Sequence, residues 1–272
     1  MLNKIYTRYR YSVILLRELV ITDFRLRYQG SFLGYLWSFL RPLFLFAILY
    51  TIFVIFLKIG RDIPHWPVAL LLGIVMWNFF TEVTTGGLSA VTNRGGLLRK
   101  INFPKYIVVI SGTISAFINL LLNMVIIAIF MVINQVELSW SMLLFPILIF
   151  ELFTFGMGMA FILGTINVKF RDIKYIWEII TRGAFYASAI LFPITRIAEV
   201  NLDVAKILLI INPAAQTIQD ARHFLISDKI PTLHTIQDTW WLTIIPVLLS
   251  VAVFIVGALY FRSRSPYFAE DI

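Results

Sequence analysis

Three ionisable side chains sit where long apolar runs should hold none: Arg41, Glu151 and Arg182. A charge in hydrocarbon is expensive unless it is paired, wetted or able to reach the interface, so each marks a place where a polar species passes or helices are pinned. Glu151 and Arg182 both fall near mid-depth of their runs and can pair across helices. Glu178 lies four residues before Arg182 and offers a local partner, so the spacing leaves both pairings open. Arg41 stands about ten residues into the first run and leans toward its N-terminus, within snorkelling reach of the membrane surface. Pro42 beside it removes one helix hydrogen bond and predicts a bend. A fourth constellation, Ser111, Ser115, Asn119 and Asn123, recurs at four-residue intervals on one slowly drifting helix face. Helix-to-helix hydrogen bonding is its simpler use, and pore lining is the alternative. Gly156, Ala160 and Gly164 form a small-residue stripe of the same spacing, which suits close helix packing.

Other chemistries are disfavoured. No Gly-x-x-x-x-Gly-Lys-Ser/Thr phosphate loop occurs, so ATP is not expected to bind this chain in that manner. No Asp-x-Asp cluster is present to hold a nucleotide-sugar's metal, which weakens a membrane glycosyltransferase reading. A proton- or sodium-driven carrier needs more convergent ionisable groups than Glu151, Glu82 and Glu178 supply. His65, His223 and His234 are isolated from one another, so no metal site is expected. Cysteine is absent, which excludes disulfides and thiolate ligands. The chain is instead rich in rings, with 24 Phe, 11 Tyr and 7 Trp. Most suit lipid anchoring or packing, and Trp66, Trp140, Trp240 and Trp241 fall where an outer interfacial belt is expected. Trp37 and Phe39 in the first run, and Phe185 and Tyr186 in the fifth, are candidates for a smooth surface on which sugar rings stack.

The elements that position these residues follow from composition. Sixty per cent hydrophobic residues, 14% charged residues and a mean hydropathy of +0.86 place the whole chain in the membrane class. Apolar runs between polar punctuation predict six spans near 32–59, 66–85, 106–133, 140–166, 173–195 and 239–261. The runs are continuous, not alternating, so an all-α polytopic fold is expected over a barrel. Fifteen cations fall on one side: Lys4, Arg8, Arg10, Arg17, Arg25 and Arg27 before the first span, Arg94, Arg99, Lys100 and Lys105 between the second and third, Lys169, Arg171 and Lys174 between the fourth and fifth, and Arg262 and Arg264 in the tail. The opposite side holds Lys58, Arg61, Arg196, Lys206, Arg222 and Lys229. That asymmetry predicts cytoplasmic termini. It also accounts for the net charge of +8 through anionic membrane lipid, so no nucleic-acid partner is expected.

Residues 1–31 form a cytoplasmic N-terminal segment with a helix near 11–28. Its stripe of Glu18, Thr22 and Arg25 opposes Leu16, Leu19, Val20 and Phe24, while Asp23 and Arg27 intrude on the apolar face. Such a helix is expected to lie at the interface. The run 11–16 is too short and too flanked by charge for a cleavable signal. The six-span domain then covers 32–262 and a cytoplasmic tail 263–272. Within it the outer region 193–238 is too short for a domain, yet apolar enough to dip back into the membrane as re-entrant helices.

With that frame in place, the chain resembles the ABC-2-type permease subunits of bacterial polysaccharide exporters, which move O-antigen, capsular polymer or teichoic acid. The resemblance runs over roughly residues 8–262. Its carriers are Asp23 through Tyr28 with Leu33, Gly34, Tyr35, Leu36, Trp37 and Pro42; the run from Asn93 to Pro104; Phe170, Arg171 and Asp172; and Asn212 and Pro213 with Arg222. It implies a homodimer joined to two copies of a cytoplasmic nucleotide-binding ATPase, with no cofactor on this chain and ATP and Mg on the partner. It implies that residues 94–104 form a coupling helix docking on that ATPase through Arg94, Leu97, Leu98, Arg99, Lys100, Phe103 and Pro104. The interface helix, with Arg17, Asp23, Arg25, Arg27 and Tyr28, becomes the second contact. The first and fifth spans would line the channel, favouring Trp37 and Tyr186, and Pro193, Asn212, Pro213 and Arg222 would belong to outer gate helices. One departure is visible. Family members often carry Ser-Pro-Ile at the outer end of the fifth span, and this chain has Ser188-Ala189-Ile190 with Pro193 following.

The function implied is a channel-forming, non-enzymatic subunit that exports a polyprenyl-pyrophosphate-linked polysaccharide across a bacterial cytoplasmic membrane. A lipid- or drug-exporting ABC-2 permease would share the frame and the loop. A non-ABC channel or carrier would work with no ATPase.

Overall fold

A computed structural model describes residues 2–28, 34–101, 103–236 and 240–271. Every regular element among them is helical. In chain order these are α1 (Leu2–Tyr28), α2 (Trp37–Leu49), α3 (Trp66–Asn93), α4 (Gly95–Lys100), α5 (Tyr106–Ile133), α6 (Phe145–Lys169), α7 (Ile173–Ala187), α8 (Ile194–Val200), α9 (Leu202–Ile211), α10 (Pro213–Leu225), α11 (Leu233–Ile236), α12 (Ile244–Arg264) and α13 (Phe268–Asp271).

Five segments among the described residues are long and apolar enough to cross a bilayer: Trp37–Phe56, Trp66–Asn93, Tyr106–Ile133, Trp140–Lys169 and Trp241–Tyr267. The protein is therefore a multi-pass membrane protein. The expected fifth span, 173–195, is not one helix. Its helix α7 stops at Ala187 after 15 residues, about 22 Å at 1.5 Å per residue, short of the ~30 Å hydrocarbon core. Beyond it the chain turns irregular, and Ala189 takes a left-handed φ of 52°, a conformation an alanine adopts only where its surroundings hold it there. The first span also differs from a plain helix. Pro42 lies inside α2 without ending it, and the winding loosens to π-helical over Tyr50–Phe56.

Packing explains why α3 extends past the expected end at 85 to Asn93. In α3, 78% of the most apolar stretch is buried by the rest of the chain, against 17% for the first and last spans. The stretch after residue 85 holds Gly86 and Gly87, poor helix formers, but Gly87 lets α3 press backbone to backbone on α6. A Cβ at Gly87 would sit 2.3 Å from that of Ala160, and one at Gly164 would sit 2.7 Å from the Gly87 carbonyl oxygen. The stripe on α6 is thus a helix contact, as its spacing suggested. On another side of α6, a Cβ at Gly158 would meet the Phe254 backbone at 2.6 Å, so α12 closes against it in the same way. Trp66 is corrected: it does not face lipid in an outer belt but is 1% exposed inside the chain. Trp140, at 88%, and Trp241 are exposed, and the side chain of Trp240 lies outside the described residues.

Candidate functional site

The corner between α3 and α5 is built by residues that pin it at both ends. The α3 helix breaks at Arg94 (φ −114°, ψ 22°), and the two glycines that follow start the six-residue α4. Arg94 forms an ion pair with Asp23 of α1 and also donates to the Ser111 hydroxyl of α5 at 2.7 Å. Ser111 in turn donates to the Val108 carbonyl at 2.9 Å. Asp23, which intruded on the apolar face of α1, is there to meet Arg94. At the other end, the Lys105 ammonium donates to the Ser265 carbonyl at 2.5 Å and lies 5.9 Å from the Phe268 ring centre. Partial burial there lowers the Lys105 pKa, partly offset by the Glu270 carboxylate. Between these bolts, Leu98 and Phe103 are buried and Leu97 is half-buried, while Arg99, Lys100 and Pro104 face outward. On α1, Arg17 and Arg25 are exposed beside Glu18 and Thr22. Arg27 and Tyr28 end the helix, with side chains outside the described residues.

The segment after α7 is held by one buried guanidinium. Arg222 on α10 is fully buried. Its Nε donates to the Ala69 carbonyl at 2.9 Å, Nη1 to Ala189 at 3.0 Å and Nη2 to Ile190 at 2.6 Å. The guanidinium carbon lies 5.1 Å from the Trp66 ring centre, a cation–π geometry. Gly73 makes the room, because a Cβ there would stand 2.3 Å from Nη2. Gln219 adds a bond to the Ala189 carbonyl at 3.1 Å. Burial lowers the Arg222 pKa to about 9, so it keeps its proton at neutral pH. The sequence places Arg222 among the outer loop cations; the side chain is instead inside the protein and contributes nothing to the surface charge. Asn212 caps α10 through the Ala215 amide at 3.2 Å and donates to the Ser188 hydroxyl at 2.9 Å. Pro193 and Pro213 are buried. The turn after α7 is therefore tied to α3 and α10 by polar groups.

Arg182 pairs with Glu178 at 2.5 Å, and both are exposed on α7. The local pairing is the one formed. Glu151 is 8% exposed and its Oε1 has no hydrogen-bond partner among the described residues.

Comparison with known proteins decides the family. The profile of the ABC-2 type transporter family matches residues 14–218. This chain belongs to that family. It is 26% identical over 264 residues to the O-antigen export system permease protein RfbA of Myxococcus xanthus, covering 97% of each chain. It is 28% identical over 179 residues to the RfbA permease of Klebsiella pneumoniae, covering 65% of this chain and 68% of that one.

Within this ABC-2 permease the candidate ring surfaces are not joined. Trp37, 45% exposed, lines a cavity of about 540 Å³ between α2, α3 and α5, and Phe39 is half-buried on the same helix. Phe185 instead packs 6.1 Å from Trp77 and edge-on to Tyr186 at 5.4 Å, with Tyr186 61% exposed. Arg41, exposed, also lines the cavity. The serine and asparagine stripe divides its work. Ser115 and Asn123 bond within α5, while Ser111 and Asn119 reach other elements, Asn119 donating to Glu82 of α3 at 2.8 Å. Sequence reasoning missed Trp66, Gly73 and Gln219 around Arg222, and Thr81 in the cavity wall. Thr81 and Thr85, with Glu82 between them, formed a polar patch inside an apolar run, a signal that could have found the cavity.

Proposed function

We propose that this permease forms the transmembrane path of an ATP-driven exporter for a polyprenyl-pyrophosphate-linked glycan of O-antigen or teichoic acid type. Two copies pair, and each works with one copy of a cytoplasmic ATPase that binds ATP and Mg. Both termini lie in the cytoplasm of a bacterial inner membrane. The α7 helix, completed by the buried turn after Ala187, supplies a sixth crossing, with exposed Tyr186 turned toward the path between copies. The short helices α8 and α9 serve as the outer gate.

The observation that carries this reading is the corner at residues 94–105. Its apolar side chains and end bolts fix it to α1, α5 and the C-terminal segment, yet its cations are left free to meet another protein. A push on Arg99 and Lys100 travels through α4 into α3, the most buried span, and through Arg94 into α1 and α5. Similarity over 97% of the chain to an O-antigen export permease supports the substrate class. Replacing Arg99 and Lys100 by Glu tests it. Glycan export in cells should fall at least tenfold while the permease remains inserted at its normal level. Unchanged export would overturn the assignment of this corner.

A further inference from the structure

The cavity between α2, α3 and α5 carries polar groups that the packing of the chain does not use. Asn123 is 3% exposed and its Oδ1 has no hydrogen-bond partner among the described residues. The Asn119 Oδ1 and the Thr81 hydroxyl are likewise buried and unpartnered among those residues, and all three residues line the cavity. Leaving a buried polar atom unsatisfied costs roughly 1–3 kcal/mol, and three around one cavity point to an occupant that satisfies them. At about 540 Å³ the space lies within the roughly 300–1,000 Å³ typical of small-molecule sites.

The chemistry of the wall selects the occupant. Two amide oxygens and the Thr81 hydroxyl call for hydrogen-bond donors, which a hydroxyl-rich molecule supplies. Arg41 donates in return, and no hydrogen bond or ion pair engages its guanidinium among the described residues. The exposed Trp37 ring at the wall offers a flat apolar face of the kind that sugar rings cover with their C–H groups. A phosphate or pyrophosphate fits poorly, because it brings only acceptors and negative charge to Glu82 and the amide oxygens.

We infer that this cavity binds a sugar unit within a single copy of the permease, apart from the path between copies, with Asn119, Asn123 and Thr81 accepting from its hydroxyls and Trp37 stacking on its ring. The inference deepens the glycan-export reading and takes its choice among hydroxylated ligands from it.

The test uses the full chain in nanodiscs with 5-fluorotryptophan in place of tryptophan, the Trp37 fluorine signal being assigned with Trp37→Phe. Free hexoses and N-acetylhexosamines are titrated one by one, with inorganic pyrophosphate as the anionic probe. At least one sugar should shift the Trp37 signal saturably, and pyrophosphate should leave it in place. Thr81→Val, which removes a hydroxyl the fold does not use, should raise the midpoint about tenfold without lowering the unfolding temperature; Asn123→Leu should raise it further. No response to any sugar, meaning that the cavity holds water alone, would overturn the inference. So would a response to pyrophosphate in place of sugar, or unaltered sugar binding in Thr81→Val. The same preparation is tested for association with its ATPase. A complex without a sugar response defeats this inference alone, whereas a sugar response without a complex defeats the exporter reading and leaves the cavity a sugar site.

Discussion

The corner at residues 94–105 and the Arg222 strap solve opposite problems with the same residue type. Arg222 has its donors turned into the protein, three carbonyls receiving them and a tryptophan ring alongside. The corner spends one arginine, Arg94, and one lysine, Lys105, on holding itself in place, and leaves Arg99 and Lys100 outside. A buried, fully paired cation can only hold; an exposed one at the end of a rigid lever can be pushed. The difference is expected to separate stability from the proposed coupling to an ATPase, and substitutions in the two regions should separate them as well.

The largest effect on stability is expected at Arg222. Arg222→Met removes the guanidinium donors to the Ala69, Ala189 and Ile190 carbonyls, of which Ala189 keeps Gln219, and each buried acceptor left unsatisfied costs about 1–3 kcal/mol. Thermal unfolding in nanodiscs should show a large loss, and Arg222→Lys should restore little, because an ammonium cannot span the fork that a guanidinium reaches. Gly73→Ala comes next: its methyl would collide with Nη2, and overpacking of this kind costs about 1–3 kcal/mol. Asp220, on the same helix as Arg222, adds a pH dependence. Burial raises its carboxyl pKa from 3.8 to about 6, the Gln216 hydrogen bond opposing. Because the folded pKa exceeds the unfolded one, its contribution is present below about pH 4 and is lost as pH rises through about 6. Stability measured from pH 4 to 7 should decline over that window, and Asp220→Asn should flatten the decline.

Effects at the corner are expected to be smaller. Asp23 and Arg94 keep side-chain exposures of 26% and 18%, so a double-mutant cycle of Asp23→Ala and Arg94→Ala should give a coupling of about 1 kcal/mol or less. Arg99→Glu with Lys100→Glu should change stability by less than about 0.5 kcal/mol, although the same pair is expected to lower export the most. If the Arg222 variants unfold no more readily than the Arg99 and Lys100 variants, the contrast between strap and lever fails.

Much of the frame was legible because it rests on local signals. Continuous apolar runs located the five long spans, and the Gly156, Ala160 and Gly164 spacing announced a close helix contact, which Ala160 and Gly164 make with Gly87. The misplaced Asp23 in α1 was legible as an anomaly, and its explanation lay 71 residues away at Arg94. Arg222 was not legible as a buried group. Its neighbours Gln219, Asp220 and His223 read as an outer loop, and the carbonyls that solvate it come from residues 69, 189 and 190. The early end of α7 was hidden for a related reason: residues 188–193 are apolar and buried like a span, yet their backbone bonds to side chains of α10 instead of continuing the helix. Half of the cavity was visible in the asparagine stripe of α5, and the rest depended on which face of α3 turned toward it.

The proposed docking of an ATPase at the corner, and not at the opposite end of the molecule, can be tested directly. The native chain has no cysteine, so a single one can be placed at will. Lys100→Cys should cross-link to the co-expressed ATPase in membranes, with a yield that changes when ATP is added, while a cysteine at the exposed Trp140 should give none. Failure of the Lys100 position to cross-link, or equal cross-linking from both positions, would contradict it.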